Sequence, residues 1–254
     1  GRCLFQGLVG DFGLVFNPGS GGVRVLLPLI GFQPLLRFPP QIGHAVGLAS
    51  FMAFVAFLLA DIAPSDPARL ARAVLGYWMF HLIGALLFGP RWMLSAEGIS
   101  MVMRLYARLA PLGRRGSRRA IGFWGWQIAQ NTKLAFGPAL LCLLVLGSGS
   151  FDGVNETFWW LAQLGLNPLE FPGRSAVVWQ TLGGLALSNL LLVVVFVATL
   201  WMGLKLGKIT DIGLGQAFCL FAPTVLPIAL GYHFAHHFTS FLVEGHYAVY
   251  SRRR

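Results

Sequence analysis

Long apolar runs broken by short basic or turn-rich stretches set the pattern of this chain. A helix needs about 20 mostly apolar residues to cross the hydrocarbon core of a bilayer. Five runs meet or approach that length: Ile42 to Ala60, Ala71 to Gly89, Leu134 to Gly147, Ala176 to Gly203 and Ile212 to Tyr250. The first ends at Asp61 and the turn-rich APSDPAR, the second at Pro90. The third is short unless the aromatic AIGFWGWQIAQN before it extends the helix. The fourth is long enough to tilt. The fifth exceeds one crossing, and Pro223 and Pro227 within it are expected to kink or break it. An earlier segment, VRVLLPLIGFQPLLRF, carries Pro28 and Pro34 between two arginines and reads as interfacial or re-entrant. The pattern predicts an all-α fold, a polytopic transmembrane helical bundle of about five to six spans with interfacial helices. No internal repeat or second domain is evident, so residues 1–254 read as a single integral membrane domain.

Charge gives these spans a direction. Between the second and third runs lie Arg91, Arg104, Arg108, Arg114, Arg115, Arg118, Arg119 and Lys133, against the lone acid Glu97. The positive-inside rule places this loop, residues 90–133, in the cytoplasm. The loop after the third run carries Asp152, Glu156 and Glu170 against Arg174, and the next link returns to the basic side with Lys205 and Lys208. The alternation puts the N-terminal region inside and the end of the last run outside. Arg252, Arg253 and Arg254 then fall on the wrong side, which requires either a final segment that doubles back or a chain that continues. Within the basic loop, SAEGISMVMRLYARLAPL alternates apolar and arginine positions as in a helix lying along the headgroups. Trp124, Trp126, Trp159 and Trp160 suit interfacial belts.

Composition agrees. The chain is 56% hydrophobic and only 11% charged, with a mean hydropathy of +0.68. Its net charge of +10 sits between apolar runs rather than on a soluble basic face, so bilayer orientation explains it and a nucleic-acid partner is not expected. Cys3, Cys142 and Cys219 are too scattered for a disulfide framework or a cysteine zinc site. The sequence opens on Gly1 with no secretory leader pattern, so a processed or partial chain is expected.

The candidate chemistry lies in GYHFAHHFTSFLVEGH, residues 231–246. With His233 set at zero on a helix turning about 100° per residue, His237 falls near 40°, Glu244 near 20°, Ser240 near 340°, Tyr247 near 320° and His236 near 300°. These six share an arc of roughly 100°, whereas His246 points elsewhere. Ionisable groups in a membrane span need partners or water, which makes such a stripe a candidate site. Imidazoles with a carboxylate suit zinc, iron or copper. A bound divalent ion would lower the pKa of a water for hydrolysis. His233, His236 and His237 are the candidate metal ligands. Asp152 and Glu156 of the outward loop, with Glu244, are the candidate catalytic carboxylates. Lone histidines on apolar helices more often bond a neighbouring helix, and His44 and His81 are read that way unless their spans pack against the last one. Haem ligation by two membrane histidines is a further option. The Asn155 to Thr157 tripeptide matches a glycosylation sequon, and no Walker loop, dinucleotide fingerprint, HExxH or serine elbow is present. Two non-enzymatic readings stand beside the hydrolytic one. The stripe could dock other subunits of a larger respiratory or photosynthetic membrane complex, or line the path of a metal or small-molecule transporter.

The run DPARLARAVLGYWMFHLIGALLFGPRWMLSAEGISMVMRLYARLAPL, then FDGVNET, then FAPTVLPIALGYHFAHHFTSFLVEGH, resembles the fenitrothion hydrolase-like family of bacterial multi-pass membrane proteins. The early GDFGLVFNP also looks like a family segment. The resemblance spans most of the chain from Asp66 to His246. It implies a bacterial inner-membrane location and hydrolysis of organophosphate esters. The positions matching the family are Asp152, Gly153, Glu156 and Thr157 in the loop, and Pro227, Tyr232, His236 and Phe238 in the last span. The chain departs from the family in being shorter at both ends and in carrying His246 where a Gln-like residue is expected.

Overall fold

The computed structural model describes residues 34–39, 42–64, 66–115, 118–130, 133–155, 157–167, 173–235, 238 and 242. These residues are mostly helical. Helix α1 spans Ala45–Ala60 and α2 Pro67–Phe88. Two short helices follow, α3 (Pro90–Ser95) and α4 (Gly98–Tyr106), then a hairpin of β1 (Leu112–Arg115) and β2 (Arg118–Ile121) and the single turn α5 (Trp126–Ala129). The remaining helices are α6 (Phe136–Asn155), α7 (Phe158–Gln163), α8 (Val178–Leu206) and α9, which runs Leu214–Phe221 and continues through a 3-10 turn at Ala222–Val225.

Four helices are long and apolar enough to cross a membrane: Pro67–Phe88, Phe136–Asn155, Val178–Leu206 and Leu214–Ala235. This is fewer than the five to six spans expected. The first expected span forms a helix of 16 residues, about 24 Å long at 1.5 Å per residue, against a hydrocarbon core of about 30 Å. Pro223 and Pro227 do not break the last run: the 3-10 turn absorbs the first, and the helix carries on to Ala235. Any return of the chain beyond that point lies outside the described residues, as does most of the proline-bearing early segment. Its visible part, residues 34–39, is non-helical, and Leu36 N–H donates to Leu87 O at the end of α2 (2.7 Å).

Local chemistry fixes the helix ends. Asp66 caps α2 by accepting from Arg69 N–H at 2.7 Å, and Pro67 occupies the first turn, where its missing N–H costs nothing. Asp66→Ala is expected to lower stability by about 1 kcal/mol, read as a shift in a denaturant or thermal unfolding midpoint in detergent. Asp61, just beyond α1, accepts Ala63 N–H and a two-pronged contact from Arg69 at 3.0 and 3.1 Å. The Ala63 amide and then the Arg69 guanidinium hold its carboxyl below the usual carboxylate range. Gly89, at φ +74°, ends α2 and turns the chain into Pro90 of α3.

Helix α6 is the centre of the bundle. Leu141, Cys142, Leu143 and Val145 along it are buried, and α1, α4, α8 and α9 pack around it. Its closest partner, α8, meets it where the backbone of Gly147 lies against Asn189 and where Phe151 and Trp160 fill the space over Gly184. Small residues at such crossings let helix backbones approach where no water is available to drive association. The far face of α8 exposes Leu187, Leu190, Leu191, Val194 and Val195, apolar cover suited to lipid rather than water.

Separate contacts tie the elements together at the two ends of the bundle. His44, before α1, packs against Gly137 at the start of α6, and Leu134 N–H bonds Cys219 O of α9 (3.2 Å). At the opposite end, Arg174 before α8 reaches Leu58 O of α1.

The basic loop is not wholly a surface loop, contrary to expectation. Helix α3 doubles back along α2, with Trp92 packed on Gly84, and Glu97 reaches Tyr77. Tyr77 lies at the midpoint of the 22-residue α2. Helix α4 is amphipathic as expected, but Met101, Val102 and Leu105 bury its apolar face against protein, with α1 and α6 as neighbours. Of the four tryptophans assigned to belts, Trp124 and Trp159 are exposed. Trp126 instead donates to Pro111 O (2.9 Å), and Trp160 packs edge-on against Phe151.

Candidate functional site

Two polar groupings lie inside this apolar framework. The first surrounds His233 on α9. Its Nδ1 lies 2.9 Å from Ala229 O, one turn back, and 3.0 Å from the hydroxyl of Tyr106 at the end of α4. Both contacts converge on Nδ1: as a donor it would serve Ala229 O, and as an acceptor it would take the Tyr106 hydroxyl.

The neighbouring wall is α6, cut away by glycine. A side chain at Gly149 would meet Tyr232 and His233, and one at Gly153 would collide with the Tyr232 hydroxyl. The last turns of α6 therefore exist in their present packing because these two positions lack a Cβ. Asp152 is half-buried on this same helix, three residues from Gly149. It was expected in a loop, as was Gly153. Both belong to α6, because the GSGS run ahead of them stays helical, with Ser150 Oγ returning its hydrogen to Leu146 O (2.8 Å). Phe234, Phe238 and Leu242 are exposed, at helical spacing, on the side away from the polar stripe.

Among the predicted site residues, His233 and Asp152 are thus located, on facing helices. His236, His237, Glu156 and Glu244 lie outside the described residues. Among the described residues no three His, Cys, Asp or Glu side chains gather in a way that would hold a metal ion.

The second grouping escaped sequence reasoning. Glu97, only 1% exposed, sits at the break between α3 and α4. Its carboxylate accepts Ile99 N–H at 3.0 Å and Ser100 N–H at 2.7 Å, capping α4, and also accepts the Tyr77 hydroxyl. Ser50 of α1 completes the junction by accepting Gly98 N–H (3.1 Å) and donating to Ala96 O (3.2 Å) or Gly47 O (3.1 Å). One turn from Tyr77, His81 accepts the indole N–H of Trp92 on Nδ1 at 3.2 Å. An indole can only donate, so the hydrogen of this neutral ring is on Nε2, which finds no partner among the described residues. His81 therefore offers a donor, not a ligand. It also sits against α3, with Tyr77, Phe80 and Trp92 around it, and among the described residues it does not join the last helix. The expectation that it bonds a neighbouring helix holds.

No family model, curated protein or solved structure matches the chain. Its chemistry therefore has to be read from these two groupings. A cleft of about 860 Å³ opens at the end of α2, between residues 34–38 and Phe88, Pro90 and Arg91. Among the described residues its lining includes no histidine or carboxylate, and neither polar grouping lines it. The sequence signal for the second grouping was present: a lone acid directly ahead of an apolar helical run is a helix-capping position.

Proposed function

We propose that the chain is a multi-pass protein of the bacterial inner membrane that hydrolyses ester substrates of the organophosphate type. The site would lie between α9 and the acidic end of α6, with the basic loops cytoplasmic. The observation that carries this reading is the placement of His233, its ring anchored at Nδ1 by Ala229 O and the Tyr106 hydroxyl, across from the helix that carries Asp152. In the step envisaged, Nε2 of His233 takes a proton from water as its oxygen bonds the ester phosphorus. The bond to the leaving alcohol breaks, and the alcohol departs with the proton. Asp152 would orient the attacking water or hold the developing imidazolium. A divalent ion, if His236, His237 and Glu244 supply further ligands, would lower the pKa of that water. The resemblance of FDGVNET and the last span to the fenitrothion hydrolase-like family supports the same substrate class.

The test is turnover of chromogenic phosphotriesters by protein purified in detergent, with bound metal quantified. His233→Gln is expected to lower kcat/KM at least about tenfold, equivalent to about 1.4 kcal/mol. Tyr106→Phe should leave most of the activity, because Ala229 O still orients the ring. Absence of turnover with any first-row divalent ion would end the proposal.

The folded-back α3 and α4 favour a second reading, as a transporter. A broken helix with Glu97 at its break, level with the middle of α2, is a feature of ion- and substrate-coupled carriers. Proton- or metal-coupled uptake into liposomes, abolished by Glu97→Gln in a folded variant, would select it.

A further inference from the structure

The cleft at the end of α2 is held between fastened walls. Leu36 N–H donates to Leu87 O at 2.7 Å and ties the non-helical segment 34–39 to the last turn of the helix. Phe38 sets its ring edge-on against Phe88 and against Trp92, with centroids 5.9 Å away in both cases, and Phe88 stacks on Trp92 at 5.2 Å. Rings in these arrangements attract one another beyond the area they bury. Gly89, at φ +74°, lets the chain pass Pro34: a Cβ there would lie only 3.1 Å from the Pro34 Cβ. The enclosed volume of about 860 Å³ is of the size that small ligands occupy.

The chemistry of the lining is two-sided. Arg37 and Arg91 both line the cleft, both are exposed, and neither makes a hydrogen bond or ion pair among the described residues. No Asp or Glu accompanies them in the described lining. Leu35 and Leu36, which also line it, are 73% and 52% exposed. Helix α2 is one of the four long and apolar enough to cross a membrane, and its turns leading to the cleft expose Met79, Ile83 and Leu86 at the spacing of one helical face.

We infer that this cleft binds an anionic phospholipid, its phosphate clamped by Arg37 and Arg91 and its acyl chains laid over Leu35, Leu36 and the exposed face of α2. A guanidinium offers a planar fork of donors that matches phosphate oxygens, and basic pockets at the ends of membrane helices hold lipid headgroups. The commitment to lipid rather than free phosphate follows from the leucines. A small anion leaves both in water, whereas a lipid covers them with hydrocarbon while its headgroup meets the arginines. Each basic residue near an anionic membrane surface contributes roughly fivefold to binding, so the pair supplies roughly 25-fold at low salt.

The experiment is native mass spectrometry of the full chain in a neutral detergent, titrated with phosphatidylglycerol, phosphatidylcholine or inorganic phosphate. The parent protein is expected to bind one phosphatidylglycerol at least about tenfold more tightly than phosphatidylcholine, and a large excess of inorganic phosphate should not displace it. Arg37→Gln/Arg91→Gln, checked for an unchanged unfolding midpoint, should lose that preference. Lys205→Gln/Lys208→Gln removes the same charge from the link after α8 and should keep it. Equal losses in the two variants would reduce the effect to general surface charge and overturn the inference. A parent protein without the preference, or displacement by inorganic phosphate, would overturn it as well. So would a dimer that dissolves when the two arginines are replaced, since the cleft would then belong to a second copy of the chain.

Discussion

Replacing Glu97 with leucine is expected to cost about 3–5 kcal/mol, as for the loss of one partner from other buried charged networks. The carboxylate accepts three donors, the amides of Ile99 and Ser100 and the Tyr77 hydroxyl, all removed from bulk water. Each donor left without an acceptor costs about 1–3 kcal/mol, and water cannot easily replace the carboxylate where Glu97 is 1% exposed. Glu97→Gln keeps one acceptor oxygen but turns an NH2 toward backbone N–H groups, so a smaller loss of about 1–2 kcal/mol is expected. The pairing with Tyr77 can be separated from the cap. In Glu97→Leu/Tyr77→Phe the stranded hydroxyl is gone, and about 1 kcal/mol should return relative to the single variant. Unfolding by denaturant in detergent micelles, followed by tryptophan fluorescence, measures all four proteins. A Glu97→Leu variant within about 0.5 kcal/mol of the parent would show that the carboxylate does not hold this junction.

Glu97 also shows how far hydropathy and charge counting reach. Those methods find α2, α8 and the first part of α9 within a few residues, because long apolar runs in a bilayer must be helical to satisfy their backbone. They read residues 90–133 as one loop because a window average cannot see that the neighbours of Glu97 fold back along α2. That information sits in Gly84, which makes room for Trp92, and in Gly47, whose lack of a side chain admits Met101 and the Ser95 carbonyl. Close approach is a property of pairs, and one helix alone does not display it. The GSGSFDG stretch misled in the opposite direction. Its small and polar residues read as a loop, yet serine can return its hydroxyl to the preceding turn, so α6 extends to Asn155 and carries Asp152 with it. The candidate site was read as a stripe on the last helix, of which only His233 falls among the described residues. The contact between His233 and Tyr106 was not legible, since the two residues lie 127 positions apart in sequence.

Glycine at α6–α8 should also outweigh the polar contacts of the same crossing. Asn189 is buried there, with Nδ2 donating to Ser148 Oγ (3.2 Å) and Leu185 O (2.9 Å), and an interhelical hydrogen bond of this kind averages about 0.6 kcal/mol in membrane proteins. Its Oδ1 has no partner among the described residues, so removal of the amide also relieves an unsatisfied acceptor. Asn189→Leu is therefore expected to cost no more than about 1 kcal/mol. A Cβ at Gly147 would lie 2.7 Å from Asn189 Oδ1 and 3.3 Å from its Cα, so even alanine forces the side chain aside and valine forces the helices apart. Gly147→Val should cost about 3 kcal/mol or more, at the upper end of overpacking penalties, because the displaced partner includes backbone. The ordering has an internal check. Gly147→Ala combined with Asn189→Ala should be more stable than the sum of the two single losses predicts, since the second change opens the space the first one needs. Unfolding midpoints of the two single variants and the double variant give that coupling directly. Additive losses would mean that the crossing does not depend on this contact.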